Sequence, residues 1–259
     1  MHIAIIGNGA ISGYVQRALA QRGIPPVALI LREGRTAGLG HDIAVRHAVT
    51  DLPETTELLV DCAGHAGLAA HGPAALKRGI DVLTLSIGAL ADARLEQQLE
   101  QAATHGQAQL ILASGAIGAL DALRAARAGT LSQVRYIGRK PPQGWIGSPA
   151  AARLDLAHLK QAEVHFHGSA RAAALAYPKN ANVAAAVALA SLGWDATEVT
   201  LIADPALTQN HHEIEAKGDF GDLRFSITGN SLPENPKSSA LAAMSMISAI
   251  LERQKPVRF

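Results

Sequence analysis

The stretch HIAIIGNGAISGYV, residues 2–15, decides the fold of the first half of the chain. An apolar run, Ile3 to Ile6, passes straight into Gly7-x-Gly9 and then into helix-forming sequence. In a strand-turn-helix of this kind the first glycine permits the tight turn and the second lets the backbone approach a pyrophosphate. The helix N-terminus then offers free N–H groups to the phosphate charge. Gly7, Gly9, Ala10 and Ile11 are therefore the candidate cofactor contacts here. The third glycine of the pattern is displaced, with Ser12 in its place and Gly13 following, and a serine is small enough to keep helix and strand close.

Outward from that turn, short apolar runs at 3–6, 27–31, 43–46, 58–62, 81–85 and 109–113 alternate with helical stretches at 14–22, 68–78 and 92–104. Pro73 is expected near the start of the second helix. Strands separated by crossover helices make a parallel sheet, so residues 1–115 are read as a Rossmann-type, doubly wound NAD(P)-binding domain. The run VALILREGR (27–35) ends the second strand with Arg32, where NAD-specific proteins carry an acid. A guanidinium there suits a 2′-phosphate, which points to NADP, with NAD also accommodated through Glu33.

The rhythm changes after residue 115. A helix at 118–128 is followed by period-two segments at 132–138, 161–167, 197–203, 210–216 and 222–229, the last two joined by the turn sequence KGDFGD (217–222). Residues 116–236 are thus expected to form a second α+β domain with a largely antiparallel sheet, carrying catalysis. Helices are expected at 182–193 and 237–252, and the C-terminal segment 237–259 is expected to pack back on the first domain.

Composition narrows the function. The 259 residues are 48% apolar and 17% charged, with 23 basic against 22 acidic side chains and a net charge of +1. Without a basic patch there is little to draw nucleic acid or an anionic membrane surface. The longest apolar stretches, 181–194 and 240–251, are shorter than the ~18 residues a membrane span needs. The N-terminus shows no basic leader before its apolar run, so a cytoplasmic location is expected. Cys62 is the only cysteine, which leaves no intrachain disulfide and no multi-thiolate zinc site. His165 and His167 share a strand face but lack an evident third ligand, so no metal is expected.

Beside a dinucleotide, proton transfer to or from a substrate suits a group titrating near neutrality, and histidine is the usual choice. His211 and His212 both qualify, and on a strand they point to opposite faces, so only one enters a given cleft. Lys140, Lys179 and Lys237 each lie in a Pro/Asn-rich loop motif, where a lysine is better placed to meet a substrate anion than on a helix face. A helix opening near Lys237 would add N–H donors at Ser238 and Ser239.

Six segments combine glycine, proline, asparagine and lysine in ways that regular elements do not need. They are SIGALAD (86–92) with SGAIGALDAL (114–123), GRKPPQGW (138–145), YPKNANVAAAVALASLGWD (177–195), ADPALTQNHHEIEAKGDFG (203–221), and NSLPENPKSSALAAMS (230–245). With the first glycine turn, this ordered set resembles the L-aspartate dehydrogenase family over residues 2–251. The resemblance implies NAD(P)-dependent oxidation of L-aspartate to iminoaspartate, the reverse reductive amination, and a homodimer. It also implies that Ala116 and Asn182 contact the cofactor and that His212, rather than His211, is catalytic. An Asn at 182 also suits a helix N-cap, which alone would explain it. Two other readings stay open at this stage: a homoserine-type dehydrogenase acting on an alcohol, and a dinucleotide-sensing protein without turnover.

Overall fold

The computed structural model describes residues 1–36 and 43–257, leaving aside the side chains of Pro236 and Lys237. It divides into two compact units, Met1–Gly115 together with the chain from Ala242 onward, and Ala116–Leu241.

In the first unit the elements run β1 (Ile3–Ile6), α1 (Ala10–Ala20), β2 (Ala28–Ile30), β3 (Ala44–Arg46), β4 (Leu58–Asp61), α2 (His65–Lys77), β5 (Asp81–Thr84), α3 (Ala93–Gly106) and β6 (Leu110–Leu112). All six strands pair in parallel in the order β3-β2-β1-β4-β5-β6. The chain reverses its direction of travel across the sheet between β1 and β4. Ligands of open α/β sheets bind at such a switch point, beyond the carboxyl ends of the strands. The central strands β1, β2 and β4 are buried along their length, which is why they read as apolar runs rather than alternating ones, while the edge strands β3 and β6 are only partly buried.

The second unit contains α4 (Leu120–Ala126), β7 (Leu131–Lys140), β8 (Glu163–Ser169), α5 (Ala170–Ala176), α6 (Asn182–Ala190), β9 (Glu198–Ala203), β10 (Asn210–Gly218), β11 (Gly221–Gly229) and a small hairpin, β12 (Ser231–Leu232) with β13 (Asn235–Ser239). Its main sheet has the order β11-β10-β7-β9-β8, and every pair is antiparallel except β7 with β9. Along β10 the side chains of His212, Ile214 and Ala216 are buried while His211, Glu213 and Glu215 are less so, the alternation of a sheet with one covered face. The KGDFGD segment makes the tight β10-β11 turn, with Gly218 paired to Gly221 and Gly221 at φ +112°.

The last helix, α7, spans Ala240–Glu252. Its Met246, Ile247 and Ile250 belong to the core formed by Ile3, Ile5 and Leu29 in the first unit. The Gly115 N–H donates to Ser245 Oγ at 3.1 Å, and Arg253 pairs with Asp81.

Several elements depart from the sequence expectations. Pro73 lies inside α2 rather than near its start, because the helix opens after Gly64 at φ +79°. The segment after Pro236 is strand, not helix: Ser231 pairs with Ser239, so Ser238 and Ser239 belong to β13 and α7 begins only at Ala240. Pairing within the hairpin overrides the helix-start signal of a proline followed by serines, and an edge strand tolerates the proline. Helix α1 begins at Ala10, directly after Gly9, four residues earlier than its composition suggests. Asn182 is the first residue of α6, and its N-cap is Ala181. A register irregularity between Val164 and Phe166 turns His165 into the core, 5% exposed, while His167 is exposed against Thr200. The two imidazoles therefore do not share an environment.

Candidate active site

The first unit carries a cavity of about 1000 Å³ at the carboxyl ends of β1, β2 and β4, bordered by Gly7, Gly9, Arg32, Arg35, Ala63 and His71. The turn that shapes it is built from its own sequence. Gly7 sits at φ +92°, its N–H donates to the Ile30 carbonyl at 3.0 Å, and Ser12 Oγ donates back to the Gly7 carbonyl at 2.8 Å. The serine that replaces the third glycine is fully buried and in turn accepts from Gln16 Nε2 at 2.8 Å, so it ties the turn to the helix instead of merely fitting beneath it.

Gly9 plays a different part. A Cβ there would meet nothing within 4 Å, and Gly9 is the N-cap of α1 with no side-chain capping bond. The open face and uncapped helix start are what a pyrophosphate needs, and they fit a dinucleotide. Ala10 and Ile11 form the first turn of α1, where the backbone supplies N–H groups, and the Ile11 side chain packs against the core. Arg32 is exposed just beyond β2 and borders the same cavity. Asn8 Nδ2 holds the loop by donating to the Thr36 carbonyl at 3.0 Å.

Behind the Cys62-Ala63 border of the cavity, Asp61 at the end of β4 is 1% exposed and accepts from Ala63 N at 2.9 Å, Thr84 Oγ1 at 2.8 Å and Ser86 Oγ at 2.6 Å. Burial pushes its pKa up, while these donors pull the other way. The carboxyl group thereby fixes the Cys62-Ala63 turn, whose atoms lie 3.1 to 3.2 Å from where a Gly7 Cβ would stand. Gly7→Ala is therefore expected to lower stability by about 1–2 kcal/mol and to abolish tight dinucleotide binding, through positive φ and collision together. Thermal melting and NADPH fluorescence titration check both; wild-type affinity would show that the turn is not the cradle.

The second unit carries a cavity of about 1160 Å³ that brings together Lys140, Lys179, Asn180, Asn210 and Gln209. Lys140 ends β7; its Nζ donates to Asn180 Oδ1 at 3.2 Å and lies 5.1 Å from the centre of the Trp145 ring. Burial lowers its pKa to about 8. Lys179 is exposed on the rim, and the side chain of Lys237 lies outside the described residues. His212 is 4% exposed, and its Nδ1 lies 2.7 Å from the Tyr136 hydroxyl. Burial, then the charge of Lys140, then that of His211 lower its pKa to about 3. His211 points away from it and bonds Thr228 Oγ1 at 2.9 Å.

The sequence reading thus finds Gly7, Gly9 and Arg32 at one cavity, and Lys140 and Lys179 at another. Ala116 lies in the turn after Gly115, Asn182 opens α6 and His212 is buried on β10; none of the three is among the residues bordering either cavity. It missed Tyr136 and Asn180. The signal for the first was present: Tyr136, Gly138 and Lys140 are spaced by two, hence on one face of a strand. Among the described residues there is no group of three or more His, Cys, Asp or Glu side chains placed to hold a metal ion. Among them, too, no helix is long and apolar enough to cross a membrane.

Residues 121–253 match the family model for the C-terminal domain of aspartate dehydrogenase, and residues 7–113 match the NAD-binding domain of homoserine dehydrogenase. The chain is 54% identical to the L-aspartate dehydrogenase of Ruegeria pomeroyi, across 100% of this chain and 94% of that protein. It is 44% identical to that of Pseudomonas aeruginosa across 96% of each. A solved aspartate dehydrogenase from Thermotoga maritima shares the fold, with a TM-score of 0.77 at 24% identity over 100% of this chain and 99% of that one. Fold, dinucleotide cradle and these likenesses define an NAD(P)-dependent dehydrogenase acting on an amino acid. Within that class, the chain belongs to the L-aspartate dehydrogenase family.

Proposed function

We propose that this chain oxidises L-aspartate to iminoaspartate with NADP or NAD, and reduces iminoaspartate in the reverse direction. Beyond family membership, one observation carries the reading. The second unit sets a half-buried cation, Lys140, near a buried imidazole, His212, that is uncharged at neutral pH. A diacid needs a cationic anchor, and its ammonium needs an acceptor for the proton it must lose.

In the first unit, Gly7, Gly9 and the N–H groups of Ala10 and Ile11 hold the pyrophosphate, and Arg32 meets a 2′-phosphate where one is present. Ala116 and Asn182 are read as further cofactor contacts. When bound, the dinucleotide supplies the hydride acceptor for Cα. Lys140 takes one substrate carboxylate, with Lys179 at the rim and Lys237 as additional anchors. His212 accepts the ammonium proton at Nε2, since Nδ1 is engaged by Tyr136. A carboxylate beside Lys140 cancels part of the charge that depresses His212, so substrate binding itself raises the basicity of the acceptor. Released iminoaspartate hydrolyses to oxaloacetate and ammonia.

Incubating the purified protein with L-aspartate and NADP or NAD, while following absorbance of the reduced nicotinamide, tests the reading. Reduction with aspartate but not homoserine is expected. Tight cofactor binding without aspartate-dependent reduction would overturn it. Arg32→Ala is expected to raise KM for NADP by about 10-fold or more with little effect on NAD, the loss of one bidentate phosphate contact. The expectation of a homodimer follows the resemblance. Large apolar side chains exposed on the second unit, Ile146 at 62%, Val164 at 57% and Leu175 at 59%, support a dimer, and light scattering measures it.

A further inference from the structure

On the buried face of the second sheet, the residue directly opposite His212 on β7 is Gly138, and the two diagonal neighbours are Tyr136 and Lys140. The glycine leaves a gap where a cross-strand side chain would normally stand. Tyr136 leans into it: a Cβ built on Gly138 would lie 2.7 Å from the Tyr136 hydroxyl oxygen and 3.2 Å from Cζ. That lean brings the hydroxyl to 2.7 Å from His212 Nδ1, with the two rings 21° from parallel and 6.0 Å between centres. Tyr136 is 1% exposed and His212 4%, so no solvent competes for the bond.

We infer that Tyr136 is the positioning residue of His212, engaging Nδ1 so that proton exchange with substrate runs through Nε2 alone, and that Gly138 exists as glycine to admit its hydroxyl. The inference rests on the reading of His212 as the acid/base group and deepens it. A phenol differs from a carboxylate in this place in two ways. Its hydroxyl both donates and accepts, so it stays bonded to Nδ1 whether that nitrogen carries a proton or a lone pair. It also carries no charge, because burial pushes its own ionisation up, and so it orients the imidazole without making it a stronger base. The charges that do act on His212 come from Lys140 on the same strand as Tyr136 and from neighbouring His211.

The test uses the full-length protein with 15N-labelled histidine, His212→Asn identifying the His212 signal. In Tyr136→Phe the His212 Nδ1 resonance is expected to move to an unbonded position. Its kcat for L-aspartate is expected to fall by about 10- to 100-fold, with KM for cofactor and the acid limb of the pH profile unchanged, since the hydroxyl orients the base without altering its strength. Gly138→Ala, which pushes the hydroxyl aside, is expected to give the same pair of effects. In the Tyr136→Phe background Gly138→Ala should have a smaller effect, since the hydroxyl it displaces is gone. An imidazole spectrum identical in wild type and Tyr136→Phe overturns the inference. So does a wild-type kcat in Tyr136→Phe when His212→Asn is inactive. A fully active His212→Asn brings down the underlying assignment and the inference with it, and is told apart because the spectral change persists.

Discussion

Replacing His212 with asparagine is expected to lower kcat for L-aspartate oxidation by about 10²- to 10⁴-fold, the contribution of a positioned general base. NADP affinity, a property of the glycine turn in the first unit, is expected to stay at the wild-type level. The imidazole is buried, bonded at Nδ1 and held uncharged at neutral pH, so the substitution removes a proton acceptor and little else. Steady-state kinetics with a parallel cofactor titration checks both halves. An unchanged kcat would remove His212 from the mechanism.

The same group makes the fold acid-sensitive. Its pKa in the folded chain, about 3, lies below the ordinary 6.5, and that of His165 is lowered to about 4 by burial and then by Arg153 and Lys140. Between these values and 6.5 the unfolded chain binds more protons than the folded one, so stability rises with pH. The His212 contribution is present in full above pH 6.5 and is lost as pH falls towards 3, a difference on the order of 5 kcal/mol. His212→Asn should therefore be less sensitive to acid than the wild type even as it loses activity.

Lys140→Met is expected to raise KM for L-aspartate by about 100-fold while making the protein more stable. A charge-assisted bond to a carboxylate contributes about 1.5–3 kcal/mol, and a buried substrate carboxylate left unpaired adds to the loss. Without substrate, however, the ammonium is a half-buried cation whose partners among the described residues are Asn180 and the Trp145 ring. Its pKa of about 8 against the usual 10.5 means that the folded chain holds this proton less tightly than the unfolded chain does. The charge therefore destabilises the fold below pH 8, and the penalty fades as pH rises through 8 towards 10.5. Methionine fills a similar volume without the charge, so a gain of about 1–2 kcal/mol is expected at neutral pH after allowing for the lost contacts. Denaturant melts at neutral and alkaline pH measure the gain and its disappearance. Wild-type aspartate affinity in Lys140→Met would show that the diacid is held elsewhere. Aspartate affinity of the wild-type enzyme should also weaken above pH 8, where Lys140 loses its charge.

The first unit was legible because its determinants are local and repeated. The central parallel strands are buried and so must be apolar throughout, the turn needs Gly7 for its positive φ, and six parallel strands in one sheet admit few arrangements. Period-two alternation likewise revealed all five strands of the second sheet, and the basic loop of Arg32 follows from its place after β2.

What the linear pattern left undetermined were the contacts made across strands. Which side chain faces His212 depends on the register of β10 against β7, and a shift of one residue would present Arg135, Ile137 and Arg139 instead of Tyr136, Gly138 and Lys140. The pairing of Ser231 with Ser239 turned a helix start into a strand, and an irregularity beside His165 separated two histidines that alternation had placed together. Residue types and their spacing thus determined the elements and the cofactor turn. Only the folded chain decided which buried groups meet, because hydrogen bonds and desolvation act between atoms far apart in sequence.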